Sequence, residues 1–244
     1  FGSQNSWSGT FTLPLNPDND LLLSYSEGFR APTFNDLYYP FEKSSNPNLK
    51  AEHAKSYELQ WRSQLSDSSR LEASLYRTDL KNAIVALEST AYLPYNVASA
   101  RINGFEASLT QELFGWQGSL GLSIIDPRDR DSGRTLPRRA RRTLSLDLDR
   151  QFDRLGLGAS WQAVSGSYDD EKNQQVLGGY GLLGVRGSWA LSREVALQLK
   201  VDNLLDKHYA RARYSYQEPS FKNNQNYREA GQTWMLGMTW TPQL

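Results

Sequence analysis

Apolar and polar residues change places at almost every step along much of this chain. Leu71, Ala73 and Leu75 alternate with Arg70, Glu72 and Ser74, while Trp116, Gly118, Leu120, Leu122 and Ile124 oppose Gln117, Ser119, Gly121 and Ser123. Leu144, Leu146 and Leu148 interleave with Thr143, Ser145, Asp147 and Asp149. The rhythm continues through Leu155–Gln162 and Val195–Asp202, and returns where Trp234, Leu236, Met238 and Trp240 stand between Thr233, Met235, Gly237 and Thr239. Successive side chains change face only in a strand, so a period of two predicts strands where a helix would need 3.6.

From Trp7 onward the pattern gives about eleven strands, many of roughly 9 to 12 residues, against the five or six usual in soluble sheets. Tilted about 45°, a strand of that length crosses a bilayer core. The connections Leu15–Asp20, Ser66–Ser69, Leu113–Gly115, Arg150–Arg154 and Ala190–Glu194 are short, whereas Arg30–His53, Asp126–Arg141, Ser165–Val176 and Asp206–Arg228 are long. In an up-and-down meander this alternation collects the tight turns at one rim and the large loops at the other. The expected fold is all-β: an antiparallel up-and-down transmembrane β-barrel, one domain over residues 1–244. Trp61, Trp116, Trp189 and Trp240 fall beside short turns or the C-terminus, where an interfacial aromatic girdle belongs. In a soluble sandwich they would be core residues. Glu58, Arg62, Arg70, Glu72, Asp147, Asp149, Lys200 and Asp202 are expected on the wet inner face. Bacterial barrels have even strand numbers, so an odd count implies part of a larger barrel, with residue 1 in or beside an extracellular loop.

Composition removes other classes. Lys plus Arg and Asp plus Glu are 27 each, so no net field favours nucleic acid. There is no cysteine, and His53 and His208 are the only imidazoles, which removes disulfide frameworks, thiolate zinc and most His-based catalysis. Neither histidine is flanked by a Ser and Asp array, and no cofactor or metal motif occurs, so no enzyme is expected. No run of about eighteen apolar residues exists to make a transmembrane helix. Gly179, Gly181 and Gly184 match a dinucleotide fingerprint in letters, but the strand pattern Val185–Trp189 stands where that motif needs a helix.

Several residues suit binding. Between Pro32 and Pro47, which bias their neighbours to extended forms, Phe34, Tyr38, Tyr39 and Phe41 offer rigid amphipathic area for a large flat ligand. Tyr95 and Asn96, with Tyr214, Tyr216, Asn224, Asn226 and Tyr227 in the last long loop, are further candidate contacts. Arg134, Arg138, Arg139, Arg141 and Arg142 form a cluster able to hold lipopolysaccharide phosphates or another anion. A solvated loop explains the same arginines.

Four boxes then stand in order: Gly28-Phe29-Arg30-Ala31-Pro32; Asn46-Pro47-Asn48-Leu49 with Glu52; Tyr95-Asn96 leading to Ile102-Asn103-Gly104-Phe105-Glu106; and Asn203-Leu204-Leu205-Asp206-Lys207-His208-Tyr209. Together they resemble the signature of TonB-dependent outer-membrane receptors. The resemblance implies the C-terminal half of a barrel of about 22 strands, without its N-terminal plug. It also implies a Gram-negative outer-membrane location, a scarce bulky nutrient as cargo, and coupling to the TonB energy complex through the plug. Outer-membrane lipid, lipopolysaccharide and the barrel-assembly machinery are implied partners, although Trp240 is followed by four more residues where an aromatic usually ends the chain. Haem receptors of the family carry a histidine between the two proline boxes, and residues 33–45 contain none. The spacing and the Leu37-Tyr38 pair are more similar to the cobalamin receptors. Haem or a ferric siderophore is the alternative cargo, and a secreted carbohydrate-binding sandwich the alternative class.

Overall fold

The computed structural model describes residues 3–40, 44–86, 93–218 and 221–242, with side chains placed for all of these except 86, 97–98, 214–218 and 221–225. Strands β1 (Ser8–Asn16), β2 (Asn19–Arg30), β3 (Glu52–Ser66), β4 (Ser69–Ala86), β5 (Pro94–Leu113), β6 (Trp116–Asp129), β7 (Arg142–Phe152) and β8 (Leu155–Val164) pair in chain order. The ribbon β9 (Ser167–Tyr168) and β10 (Val176–Leu177) lies in the next connection, before β11 (Tyr180–Ala190) and β12 (Val195–Asp202). A second ribbon, β13 (Ala210–Glu218) and β14 (Phe221–Arg228), precedes β15 (Thr233–Trp240). The main sheet has eleven antiparallel strands in the order β1 to β8, β11, β12, β15, which is the expected meander.

Register carries the alternation across the sheet. Leu21 pairs with Trp61, Trp61 with Ala73, Ala73 with Ala107 and Ala107 with Leu122. Leu122 continues to Leu144, and on the far strands Leu199 stands beside Leu236 and Val201 beside Trp234. One face is therefore a continuous hydrocarbon band, and it is open: Leu23, Leu59, Leu75, Leu120, Leu157, Leu199, Leu236 and Met238 are all exposed. Burying such a band between stacked sheets would have stabilised a soluble sandwich, but among the described residues no second layer covers it, as suits lipid contact. The opposite face holds every charge expected there. Arg186 of β11 forks to Asp147 at 2.5 Å and also bonds Asp149, while Gly158 leaves room where a Cβ would strike both Asp149 and Arg186.

The tight turns, at Pro17–Asp18, Asp67–Ser68, Phe114–Gly115, Asp153–Arg154 and 191–194, share one rim. Phe114 and Asp153 adopt left-handed φ there. Trp61, Trp116, Trp189 and Trp240 lie toward this rim; Trp240 pairs with Val195, the first residue of β12. The Gly179-to-Gly184 stretch leads into strand β11, and Gly179 presses on the Val164 carbonyl, where a Cβ would come within 2.8 Å. No helix begins there, so the fingerprint has no anion-binding terminus.

Candidate functional site

The rim opposite the tight turns carries the long connections. In the first, Pro32 is buried and the chain turns into a short helix α1 (Phe34–Tyr38) that period-two reading did not anticipate. A capping box forms it: Asp36 N donates to Thr33 Oγ1 at 3.1 Å and Thr33 N to Asp36 Oδ2 at 2.8 Å. Leu37 turns inward, while Phe34 and Tyr38 point out, 74% and 56% exposed, with ring centroids 5.4 Å apart. Tyr39 is exposed beside them, and Phe41 lies outside the described residues.

The motif residues of this connection work as clamps. Asn46 Nδ2 donates to the Pro94 carbonyl at 3.1 Å, Asn46 N to the Asp36 carbonyl at 2.7 Å, and Asn46 Oδ1 accepts Asn48 N at 3.0 Å. Leu49 is buried behind Pro47 and Asn48, which are exposed. Asn96 Oδ1 accepts Lys50 N at 2.8 Å, and Asn96 Nδ2 donates to the Lys50 and Asn82 carbonyls at 2.9 and 2.7 Å. Its amide thus ties this loop to β4 and β5. Arg30 forks onto Glu52 at 2.6 and 2.8 Å and reaches the Ile84 carbonyl, while Glu52 also accepts the Ile84 N–H. Burial alone would raise the Glu52 carboxyl, but Arg30 and that N–H together hold it below the ordinary carboxylate range. Phe29 and Ala31 flank this clamp, Phe29 exposed and Ala31 half-buried. Half-buried Tyr95 has its phenol pushed up by burial, with Glu171 and Asp129 adding to the effect, so it stays a neutral donor.

The arginine cluster is divided. Arg138 donates to Asp169 at 2.9 Å, and Asp169, its side chain only 9% exposed, also accepts Arg213 N at 2.9 Å. One carboxylate therefore joins the β6–β7 connection, the β9 ribbon and β13, a junction with no sequence motif. Asn173 supports it, exchanging two 2.9 Å bonds with the Thr135 backbone. Arg141 bonds Asp126 at 3.0 Å. Arg134, Arg139 and Arg142 are exposed and make no ion pair among the described residues.

In the last connection Asn203 and Asp206 both adopt left-handed φ. Asn203, buried, accepts Lys207 N at 2.8 Å and donates to the Lys207 carbonyl at 3.0 Å; Asp206 accepts Gln232 N at 2.9 Å. Leu204 N bonds the Leu183 carbonyl at 2.7 Å, and the Tyr209 ring lies 4.2 Å from that of Tyr180. Arg213 Nε donates to Asn226 at 3.0 Å, and Tyr227 is exposed. Tyr214, Tyr216 and Asn224 lie on β13 and β14, their side chains outside the described set. A cavity of about 400 Å³ between the ribbons is lined by Lys207, His208, Arg213, Asn226 and Arg228, with no carboxylate among its lining. Among the described residues no group of three His, Asp or Glu could hold a metal.

Residues 1–204 match the family model for the TonB dependent receptor-like β-barrel. The chain belongs to this family. It is an outer-membrane barrel sequence of Gram-negative bacteria, from a family of receptors and transporters rather than enzymes. Among its relatives, the vitamin B12 transporter BtuB of Vibrio vulnificus is 32% identical over 220 residues, 88% of this chain and 35% of that protein. The transporter of the same name in Photobacterium profundum is 28% identical over 238 residues, 93% of the chain and 38% of that protein. The chain thus spans little more than a third of these relatives. Its fold is similar to that of the ferric enterobactin receptor of Pseudomonas aeruginosa, with a TM-score of 0.77 at 23% identity over 96% of this chain and 40% of that one. The copper transporter OprC gives a TM-score of 0.77 at 20% identity, over 95% of this chain and 38% of that one.

Proposed function

We propose that this chain supplies the wall and the cargo-facing loops of a TonB-dependent receptor that imports cobalamin, drawing energy from the TonB complex of the inner membrane. The observation that carries this reading is the 32% identity with a vitamin B12 transporter over 88% of the chain. The geometry agrees in kind. Helix α1 presents Phe34 and Tyr38 as a rigid pair on a loop pinned by Asn46, Asn96 and Arg30, an apolar surface matched to a broad, flat cargo at small cost in ordering. A ferric siderophore is the second reading, favoured by one feature: the cavity lined by Lys207, Arg213 and Arg228 would draw an anionic chelate more strongly than a corrinoid.

Equilibrium titration of the full-length receptor in detergent with cyanocobalamin, and separately with an anionic iron–catecholate chelate, tests both. Cobalamin is expected to bind, and replacing Tyr38 and Tyr39 together by Ala should weaken it by about tenfold or more, the scale of a lost aromatic anchor. Tight chelate binding without cobalamin binding overturns the first reading in favour of the second. Unchanged cobalamin affinity in the double variant removes α1 from the site.

A further inference from the structure

The cavity of about 400 Å³ among the long connections is walled on one side by the β13–β14 hairpin and on the other by the exit of the β9–β10 ribbon. A bulge between Ala210 and Ala212 shifts the hairpin register, so that Arg213 pairs with Asn226 and Ala210 with Arg228. All four residues line the cavity, and the small side chain of Ala210 leaves room opposite Arg228. Lys207, His208 and Tyr209 enter it from the segment before β13.

Lys207, Arg213 and Arg228 make no ion pair among the described residues. The carboxylates near them in the chain or through hydrogen bonds are already engaged. Asp169 accepts the Arg213 N–H but pairs with Arg138 at 2.9 Å, Glu229 lies 3.7 Å from Arg211, and Asp206 accepts Gln232 N at 2.9 Å. Arg213 gives its Nε to Asn226 at 3.0 Å, which fixes the guanidinium plane and leaves its terminal amino groups unbonded among the described residues. Three uncompensated cations and an amide around a cavity without a carboxylate make a site for an anion.

The other lining narrows the class of anion. Tyr209 is half-buried and stacked on Tyr180 with ring centroids 4.2 Å apart, so an aromatic face stands beside the charges. Across from it are Leu177 and bare backbone at Gly178 and Gly179, and a Cβ added at Gly178 meets nothing within 4 Å. Positive charge joined to an aromatic platform suits a phosphate joined to a flat base. A whole corrinoid far exceeds this cavity, but its tail does not: a phosphodiester followed by an aromatic base, the one anionic group on a ring whose other substituents are neutral amides.

We infer that this cavity is a subsite for the phosphodiester tail of the corrinoid, with Arg213 and Arg228 on the phosphate oxygens, Lys207 as a further cation and Tyr209 toward the base. The inference rests on the cobalamin reading and goes beyond it. Phe34 and Tyr38 offer area to any broad cargo, whereas this cavity distinguishes a corrinoid that has its tail from one that lacks it.

The test titrates the full-length receptor in detergent with cyanocobalamin and with dicyanocobinamide, the same ring without phosphodiester and base. Cobinamide phosphate, which restores the phosphate alone, is the third ligand. The parent should prefer cyanocobalamin to dicyanocobinamide by about tenfold or more, the scale of charge-assisted hydrogen bonds to an anion, and cobinamide phosphate should recover much of the difference. R213Q/R228Q should abolish the preference by weakening cyanocobalamin alone, and unchanged dicyanocobinamide binding shows that the variant is folded. Gly178→Leu, which fills the cavity without touching a charge, should also weaken cyanocobalamin and spare dicyanocobinamide. Arg193→Gln, which removes a cation at the opposite rim, should change neither. Equal binding of the two corrinoids by the parent overturns the subsite, as does a folded double variant that keeps the full preference. A receptor that binds neither corrinoid overturns the cobalamin reading and the subsite with it, so the two failures are told apart.

Discussion

At the scale of single residues, the boxes that made the family recognisable are clamps. Arg30, Asn46, Asn96, Asn203 and Asp206 all direct their polar atoms onto neighbouring backbone or a paired carboxylate. Gly104, within the Ile-Asn-Gly-Phe-Glu box, has a different reason: the Tyr76 ring lies across it on the lumen face, so any Cβ would collide with that ring. Gly104→Ala should therefore cost about 1–3 kcal/mol by overpacking, read from urea unfolding of the full receptor in vesicles. Adding Tyr76→Ala should return most of that loss, and strict additivity of the two changes would show that the ring is not the cause. The Glu52 clamp gives a pH dependence. Its carboxyl is depressed in the folded state, so its stabilisation is complete above the ordinary value of 4.5 and is lost as pH falls through the lower folded value. Arg30 is half-exposed, which limits the contribution to roughly 1 kcal/mol. The gap in thermal midpoint between the parent and Glu52→Gln should be constant above pH 4.5 and close below it; a gap that persists at low pH contradicts the assignment.

At the scale of elements, the strands were legible because each faces lipid on one side and water on the other, which writes a period of two into the sequence. The loops carry no such period. Helix α1 was nonetheless signalled by Thr33 and Asp36 at capping-box spacing, a cue outweighed by the two prolines. The two-residue pairing of β9–β10 is too short to show a period. The β13–β14 hairpin is an exception in part: Ala210, Ala212, Tyr214 and Tyr216 alternate with Arg211, Arg213, Ser215 and Gln217 on β13, but its partner β14 is polar almost throughout and shows no such face. Asp169 was invisible because its partners Arg138 and Arg213 are 31 and 44 residues away, and only the pairing of the intervening strands brings these connections to one rim. Asp169→Asn should free the β6–β7 connection, at a cost of about 1–3 kcal/mol for a nearly buried acceptor that loses its charge. Trypsin reports it directly. Cleavage after Arg138 and Arg139 should accelerate in the variant while the strands stay intact, and identical digestion of variant and parent would show that the junction does not hold the loop.

At the scale of the whole molecule, one asymmetry organises everything else: hydrocarbon outside, charge within. Leu199 and Gln198 are adjacent on β12, yet Leu199 stands beside Leu236 on the band while Gln198 stands beside Gly237 on the lumen face. The same substitution at the two positions therefore meets opposite solvents. Leu199→Arg places a guanidinium near the middle of the bilayer and should destabilise the folded receptor by about 2–4 kcal/mol, whereas Gln198→Arg should change stability by less than about 1 kcal/mol. Chemical unfolding of both variants in phospholipid vesicles measures the contrast. In detergent, where the hydrophobic layer is thin and deformable, the Leu199→Arg penalty should shrink, which separates a lipid-facing position from an ordinary packed core. Equal penalties at the two sites would mean that the face bearing Leu199 meets protein rather than lipid.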